Sequence, residues 1–192
     1  MKISRYYAPC GYLLVLLSTA VGCSTTQKTG GVGLVSVVAQ NVVRVAGIRA
    51  MQDADFAATK GKFSHVKLTG FVDEQNRGFI DNLVRTKVED AGARLVSEDK
   101  AQVLVQVTVN SAGNDSGGSS RVVASSKRTE GIVDLDLILR DSRDGTKVST
   151  QHVRGEAKYE QSSVMGFQGT GKYFVKERTG EFVEVPNPTN YR

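Results

Sequence analysis

Tryptophan is absent from this 192-residue chain, aromatic residues make up 7%, and there are two histidines and two cysteines. Each scarcity narrows what the chain can be. With so few aromatics, any core must be assembled from Val, Leu and Ile. His65 and His152 lie far apart in sequence with no metal-ligand spacing around them, so no metal centre is expected. No serine sits in a Gly-x-Ser-x-Gly elbow, which removes the commonest sequence sign of a hydrolase nucleophile. Lys and Arg number 25 against 20 acidic residues but form no basic run. Nucleic-acid binding, which depends on such clusters, is not expected. No apolar stretch approaches the ~20 residues needed to span a bilayer.

What is present begins at the N-terminus. Lys2 and Arg5 precede the apolar run Tyr12-Leu13-Leu14-Val15-Leu16-Leu17, and the small residues Ala20-Val21-Gly22 lead into Cys23. A positive start, a short apolar middle and a small-residue end are the three parts of a secretory signal. In register with a cysteine, they resemble the bacterial lipobox. That resemblance implies cleavage between Gly22 and Cys23, diacylation of the Cys23 thiol, and a mature chain beginning at the lipidated cysteine. Two or more acyl chains give stable anchoring, at about 0.8 kcal/mol per buried methylene. In enteric-type bacteria an Asp after the cysteine resembles an inner-membrane retention signal. Ser24 stands there instead, so the resemblance implies the outer membrane, on its periplasmic face or at the surface.

Removing residues 1–22 takes away Lys2, Arg5 and Cys10 and leaves 170 residues with a net charge of +3. That length suits one domain. With Cys23 lipidated, no thiol remains for a disulfide even in an oxidising compartment, so stability must come from packing. Residues 23–31 read as a lipidated tether. Residues 32–60 carry Leu34, Val37, Val38, Val42, Val45 and Ile48 at near-helical spacing, interrupted by Gln40, Asn41, Arg44 and Arg49. Such a helix either lies on the membrane or packs on the domain, and packing is the expectation.

Residues 61–185 read as an α+β domain, followed by a polar tail over 186–192 that starts at Pro186 and Pro188. A strand is expected over His65–Val72. A helix then follows, capped by Asp73 or Asn76 and ended at Gly92. Its stripe of Phe79, Ile80, Leu83, Val84, Val88 and Ala91 should pack on inner strand faces containing Val105, Val107, Leu135 and Leu137. Arg77, Asp81, Arg85 and Glu89 should face water and pair. Ala93–Val96 reads as a short strand. Strict alternation marks strands through Val103–Val109 and Ile132–Arg140, with Lys147–Tyr159 returning after the Asp141–Gly145 turn. Tyr173–Val175 and Phe182–Val185 form a last hairpin. Ser111–Ser120, rich in Gly, Ser, Asn and Asp, reads as a mobile loop, Arg121–Ser125 as a short edge strand, and residues 162–172 as a glycine-rich connection. The expected architecture is a mostly antiparallel sheet with one or two helices on one face.

Two motifs carry potential chemistry. Gly166-Phe167-Gln168-Gly169-Thr170-Gly171-Lys172 matches Gly-x-x-x-x-Gly-Lys, but Tyr173 replaces the magnesium-holding Ser or Thr and a strand is expected to follow. Nucleotide binding is not expected. Asp134 and Asp136 share a strand face, a pairing that serves acid–base or cation chemistry when other groups converge, and otherwise is a wet strand face.

The section from His65 to Tyr159 resembles the periplasmic α/β module of outer-membrane assembly lipoproteins, the group of the curli secretion-channel lipoprotein and the TolB N-terminal domain. The resemblance rests on Ile132–Asp141 followed by Asp144-Gly145-Thr146-Lys147-Val148, with the helix ending at Gly92 and the Val103–Val109 strand in matching places. It implies a non-enzymatic lipoprotein without cofactor or metal, acting as an accessory or assembly component of a secretion or surface structure. Its partners would be the membrane, other envelope proteins or further copies of itself. The first half, with Asp99-Lys100-Ala101 before a strand, also resembles TraT-like surface lipoproteins, which implies a surface exclusion or barrier role as the alternative.

Overall fold

The computed structural model describes residues 37–70, 72–120, 124–165 and 167–188. Cys23, the signal and the tether lie outside these residues. The order is α1 (Val37–Gln52), β1 (Phe63–Gly70), α2 (Glu74–Asp90), β2 (Arg94–Leu95), β3 (Val103–Ser120), β4 (Ala124–Asp141), β5 (Lys147–Val164), β6 (Phe167–Gln168), β7 (Lys172–Lys176) and β8 (Phe182–Val185). The strands form one sheet in the order β2-β1-β3-β4-β5-β7-β8, with β6 beside β5. β1 runs parallel to β2 and β3, and all other pairings are antiparallel. This is the α+β architecture expected, with both helices on one face. No described helix is long and apolar enough to cross a membrane.

The expected alternation places Val103, Val105, Val107 and Val109 of β3 and Val133, Leu135, Leu137 and Leu139 of β4 fully inside. Asp73 caps α2 by accepting from the Asn76 N–H at 2.9 Å, and Gly92 takes φ +91° just beyond its end. Ile80, Val84 and Val88 are completely buried, while Phe79 and Leu83 are half-buried. The stripe does not cover the inner face of β4. α2 packs on β1, β2 and α1, and α1 covers β4 and β5. The reason lies in connectivity: α2 links the parallel strands β1 and β2 and must sit over that end of the sheet, leaving the wide antiparallel part to another helix.

α1 is buried on two sides at once, against the sheet and against α2. Glycines permit its close approach. A Cβ on Gly155 would lie 1.9 Å from the Ala46 carbonyl oxygen, and one on Gly131 would lie 2.6 Å from Val42 Cγ1. Two of the polar residues that interrupt its apolar pattern, Asn41 and Arg49, are buried with partners, while Arg44 is exposed. Asn41 donates to the Tyr173 hydroxyl at 3.4 Å. Arg49 pairs with Asp53 at 3.0 Å and Glu177 at 3.6 Å, and donates to the Lys176 carbonyl at 3.3 Å.

The largest departure from expectation is Ser111–Ser120. It is not a loop but the second half of β3, paired residue by residue with β4 out to Ser120 and Ser125. Its composition is that of turns, yet an ordered neighbouring strand satisfies its backbone, and pairing outweighs intrinsic preference. Arg121–Val123 lie outside the described residues. The rest of the expected edge strand, Ala124–Ser125, opens β4, which is central, between β3 and β5. The glycine-rich connection is likewise shorter than expected, since β5 runs to Val164 and β6 occupies Phe167–Gln168. The three 18-residue strands therefore project as an arm beyond the helix-covered core.

Candidate functional site

Asp134 and Asp136 point to the face of the sheet opposite the helices, and the sequence links no third group to them. The fold supplies three. In the β4–β5 register Asp136 stands opposite His152 and Asp134 opposite Arg154. Directly opposed residues share a face, so their side chains meet. His152 Nδ1 lies 2.9 Å from Asp136 and 3.7 Å from Asp134, and Arg154 lies 3.9 Å from Asp134. From the other side Asn110 donates to both carboxylates at 3.0 Å. Asn110 reaches them because β3 shifts register between Val109 and Ser111, and such a bulge re-aims the residue within it.

Sequence reasoning missed Asn110, His152 and Arg154 as members of this cluster. For His152 a signal existed: Val153, Ala157 and Tyr159 are inward residues, so His152, Arg154, Glu156 and Lys158 had to face out. For Asn110 no signal existed, because the bulge is a property of two paired strands. His65 is not part of the cluster; its Nδ1 contacts the Val96 carbonyl at 3.0 Å.

The cluster continues along the outer face as a chain of opposite charges. Arg154 meets Glu156 at 2.9 Å, Lys176 meets Glu156 at 2.9 Å, and Lys158 meets Glu160 at 2.9 Å. Lys158 also lies over the Phe174 and Phe182 rings, 4.9 and 4.6 Å from their centroids. An open groove of about 590 Å³ runs here, lined by Asn110, Glu130, Ile132, Arg154, Glu156 and Phe182 among others.

The Asn110 hydrogen bond, and after it that of His152, holds the Asp136 carboxyl below its usual value. The Asp136 hydrogen bond, followed by the nearby Asp134 charge, raises His152 above 6.5. The signs give a window. The raised His152 adds stability that is complete below pH 6.5 and lost as pH rises through its folded value. The lowered Asp136 adds stability present above 3.8 and lost as pH falls through its folded value. Both groups are largely solvent-exposed, so salt weakens the link. Asp136→Asn is therefore expected to bring the His152 titration down toward 6.5, read by NMR on the imidazole protons. An unchanged midpoint would dissolve the pair.

Among the described residues, no hydroxyl hydrogen-bonds His152, and no three His, Cys, Asp or Glu side chains are placed to hold a metal ion. The arrangement is a mutually neutralised surface that can present hydrogen bonds and apolar ring faces to a partner. Lys172 of the phosphate-loop-like motif opens β7 and pairs with Glu184 of β8 at 2.8 Å. A strand follows it as expected, and Gly166 lies outside the described residues. Cys23 and the Gly22–Cys23 cleavage point also lie outside them.

The other feature of note is a contrast between two sheet edges. β1 is closed by α2, because Arg77 donates to the Leu68 carbonyl at 3.3 Å and Arg85 to the Val66 carbonyl at 3.4 Å. These two arginines thus turn back onto the sheet from the helix face expected to be wet, while Asp81 and Arg85 pair at 2.7 Å as expected. β1 pairs with β3 only as far as Val109. Among the described residues no strand flanks Ser111–Ser120 on that side.

No family model matches the chain, and no curated protein matches it in sequence. Among solved structures it is similar to lipoprotein GNA1162 from Neisseria meningitidis, at 11% identity and a TM-score of 0.34 over 48% of this chain and 77% of that one. It is also similar to the PelC dodecamer from Paraburkholderia phytofirmans, at 12% identity and a TM-score of 0.34 over 57% and 76% of the two chains. A third is the LpoB C-terminal domain from Salmonella enterica, at 12% identity and a TM-score of 0.29 over 59% and 94%. All three scores lie below 0.5, so the likeness covers part of the fold and carries nothing about activity.

Proposed function

We propose that this chain is a non-enzymatic lipoprotein, anchored to the outer membrane through Cys23, that serves as an accessory or assembly component of an envelope secretion or surface structure by binding other proteins. The observation that carries the binding role is the open edge of β3 at Ser111–Ser120. Ten residues of strand backbone, mostly Gly, Ser and Ala, paired throughout with β4, form a template to which a partner strand can add. The free edge of β1, by contrast, is closed by arginines. Lipid at Cys23 would raise the local concentration of the domain for neighbours on the same membrane.

A photocrosslinking residue at Asn114 in the full chain tests this in cells. Crosslinks to envelope proteins, or between copies of this chain, are expected. They should vanish with Gly117→Lys, which places a charge on the edge. A Cβ at Gly117 meets nothing within 4 Å, so stability should change by no more than about 0.5 kcal/mol. Crosslinks that survive Gly117→Lys would place the contact elsewhere. Fatty-acid label entering the wild type and not Cys23→Ser checks the anchor separately, and surface protease accessibility of the anchored chain decides between this reading and a TraT-like barrier role.

A further inference from the structure

We infer that the tip of the arm is a second membrane contact, in which Met165 and Phe167 enter the interface of the bilayer that holds the Cys23 lipid. The inference rests on the lipid-anchor reading above. Seven large apolar residues are substantially exposed among the described residues, and three of them, Val164, Met165 and Phe167, fall at this one turn. Phe167 is 82% exposed and Met165 75%. Met165 is also the one described non-glycine residue at positive φ, 51°, so the turn holds its side chain outward at some backbone cost. A cluster of exposed apolar side chains at a single point marks an interaction site more than scattered ones do.

The surroundings favour lipid over a charged partner. Ahead of the level of Lys127, Gly118 and Gln161, the described residues 119, 124–126, 162–165 and 167–171 include no charged side chain, and the first charges behind them are Lys127, Arg128 and Glu160. Uncharged residues such as these enter an interface without the desolvation penalty that ionised groups impose. Serine hydroxyls there pair with one another across the strands, Ser125 with Ser163 at 2.6 Å and Ser119 with Ser126 at 2.9 Å. Backbone groups between β4 and β5 are paired out to Ala124 and Val164.

The position agrees with the anchor. Val42 sits on Gly131, and α1 then runs past Gly155, with Asp55 beyond it bonded to Gln151. The N-terminus of α1 therefore points toward the free end of the arm. β4 continues seven residues from Gly131 to its start at Ala124, about 23 Å at the usual rise per strand residue. Ser24–Ser36 is thirteen residues, enough to span about 45 Å when extended. A lipid at Cys23 can thus reach the membrane on which the tip rests. Two contacts would orient the domain, with the open β3 edge rising from the bilayer.

The absence of tryptophan makes the test direct. The full lipidated chain carrying Phe167→Trp is reconstituted into vesicles of phosphatidylethanolamine and phosphatidylglycerol, with or without brominated acyl chains. Val148→Trp, exposed at the opposite end of the sheet, is the reference. Bromine quenching of the indole at position 167 and not at 148 is expected. A chain that floats with vesicles but is quenched at neither position, or equally at both, overturns the tip contact and leaves the anchor standing. A chain that does not float overturns both. As a second readout, Met165→Ser combined with Phe167→Ser should speed desorption of the lipidated chain about tenfold. An unchanged rate overturns the contact.

Discussion

Gly155→Ala is expected to destabilise the protein by about 3 kcal/mol or more, at the upper end of what overpacking costs. The added methyl carbon would lie 1.9 Å from the Ala46 carbonyl oxygen and 2.7 Å from the Ala50 nitrogen. Both are backbone atoms of α1, so no side chain can rotate away. The helix must lift from β5, and with it go the buried contacts of Val42, Val43, Ala46 and Ala50. The Arg49 cluster at its end would loosen as well, freeing the β7–β8 turn that Asp53 holds through Arg178 at 3.0 Å. Urea unfolding of Gly155→Ala beside Gly117→Lys makes the comparison internal, since one glycine faces backbone and the other open space. Equal midpoints would mean that α1 is not seated on this strand.

Leu137→Ala should cost about 2–5 kcal/mol, the range for deleting a large aliphatic side chain from a packed interior. Leu137 has no exposure and lies on the inner face of the central strand, between β3 and β5. The neighbours there belong to a paired sheet that cannot collapse into the gap. Leu83→Ala should cost less. Leu83 is half-buried against Gly47 at the contact of the two helices, where α2 can settle inward. Glu89→Ala, on an exposed position of α2, should stay within about 0.5 kcal/mol. If Leu137→Ala and Glu89→Ala shifted the urea midpoint alike, the inner face of β4 would be misassigned.

Much of the architecture was legible because it is written in local periodicity. Val103 through Val109 and Val133 through Leu139 alternate, and only a strand buries every second residue. Asp73, the stripe from Phe79 to Val88 and Gly92 announce the start, face and end of α2. Asp144-Gly145 and Thr179-Gly180 announce their turns, with both glycines at positive φ. The arm was not legible. Ser111–Ser120 carries no alternation and has loop composition, so its strand character comes only from the partner beside it. The polar cluster was half legible. Asp134 and Asp136 were visible as a pair, but their neighbours depended on two register shifts.

One shift lies in β3 at Asn110, and the other in the β4–β5 hairpin. Arg140 pairs with Lys147 and Leu139 with Ser149, leaving Val148 over as the extra residue. Without that shift Val148 would pair with Leu139, Asp136 would face Gln151 instead of His152, and the cluster would not exist. Local sequence thus determined which segments of the core are strands, which are helices and which face of each is apolar, because those depend on a residue and its near neighbours. The tertiary structure alone decided which helix covers which strands, how far β3 extends, where its open edge lies and which outer residues meet. Those outcomes depend on the register and close approach of segments distant in sequence, through bulges and glycines whose consequences appear only when two backbones touch.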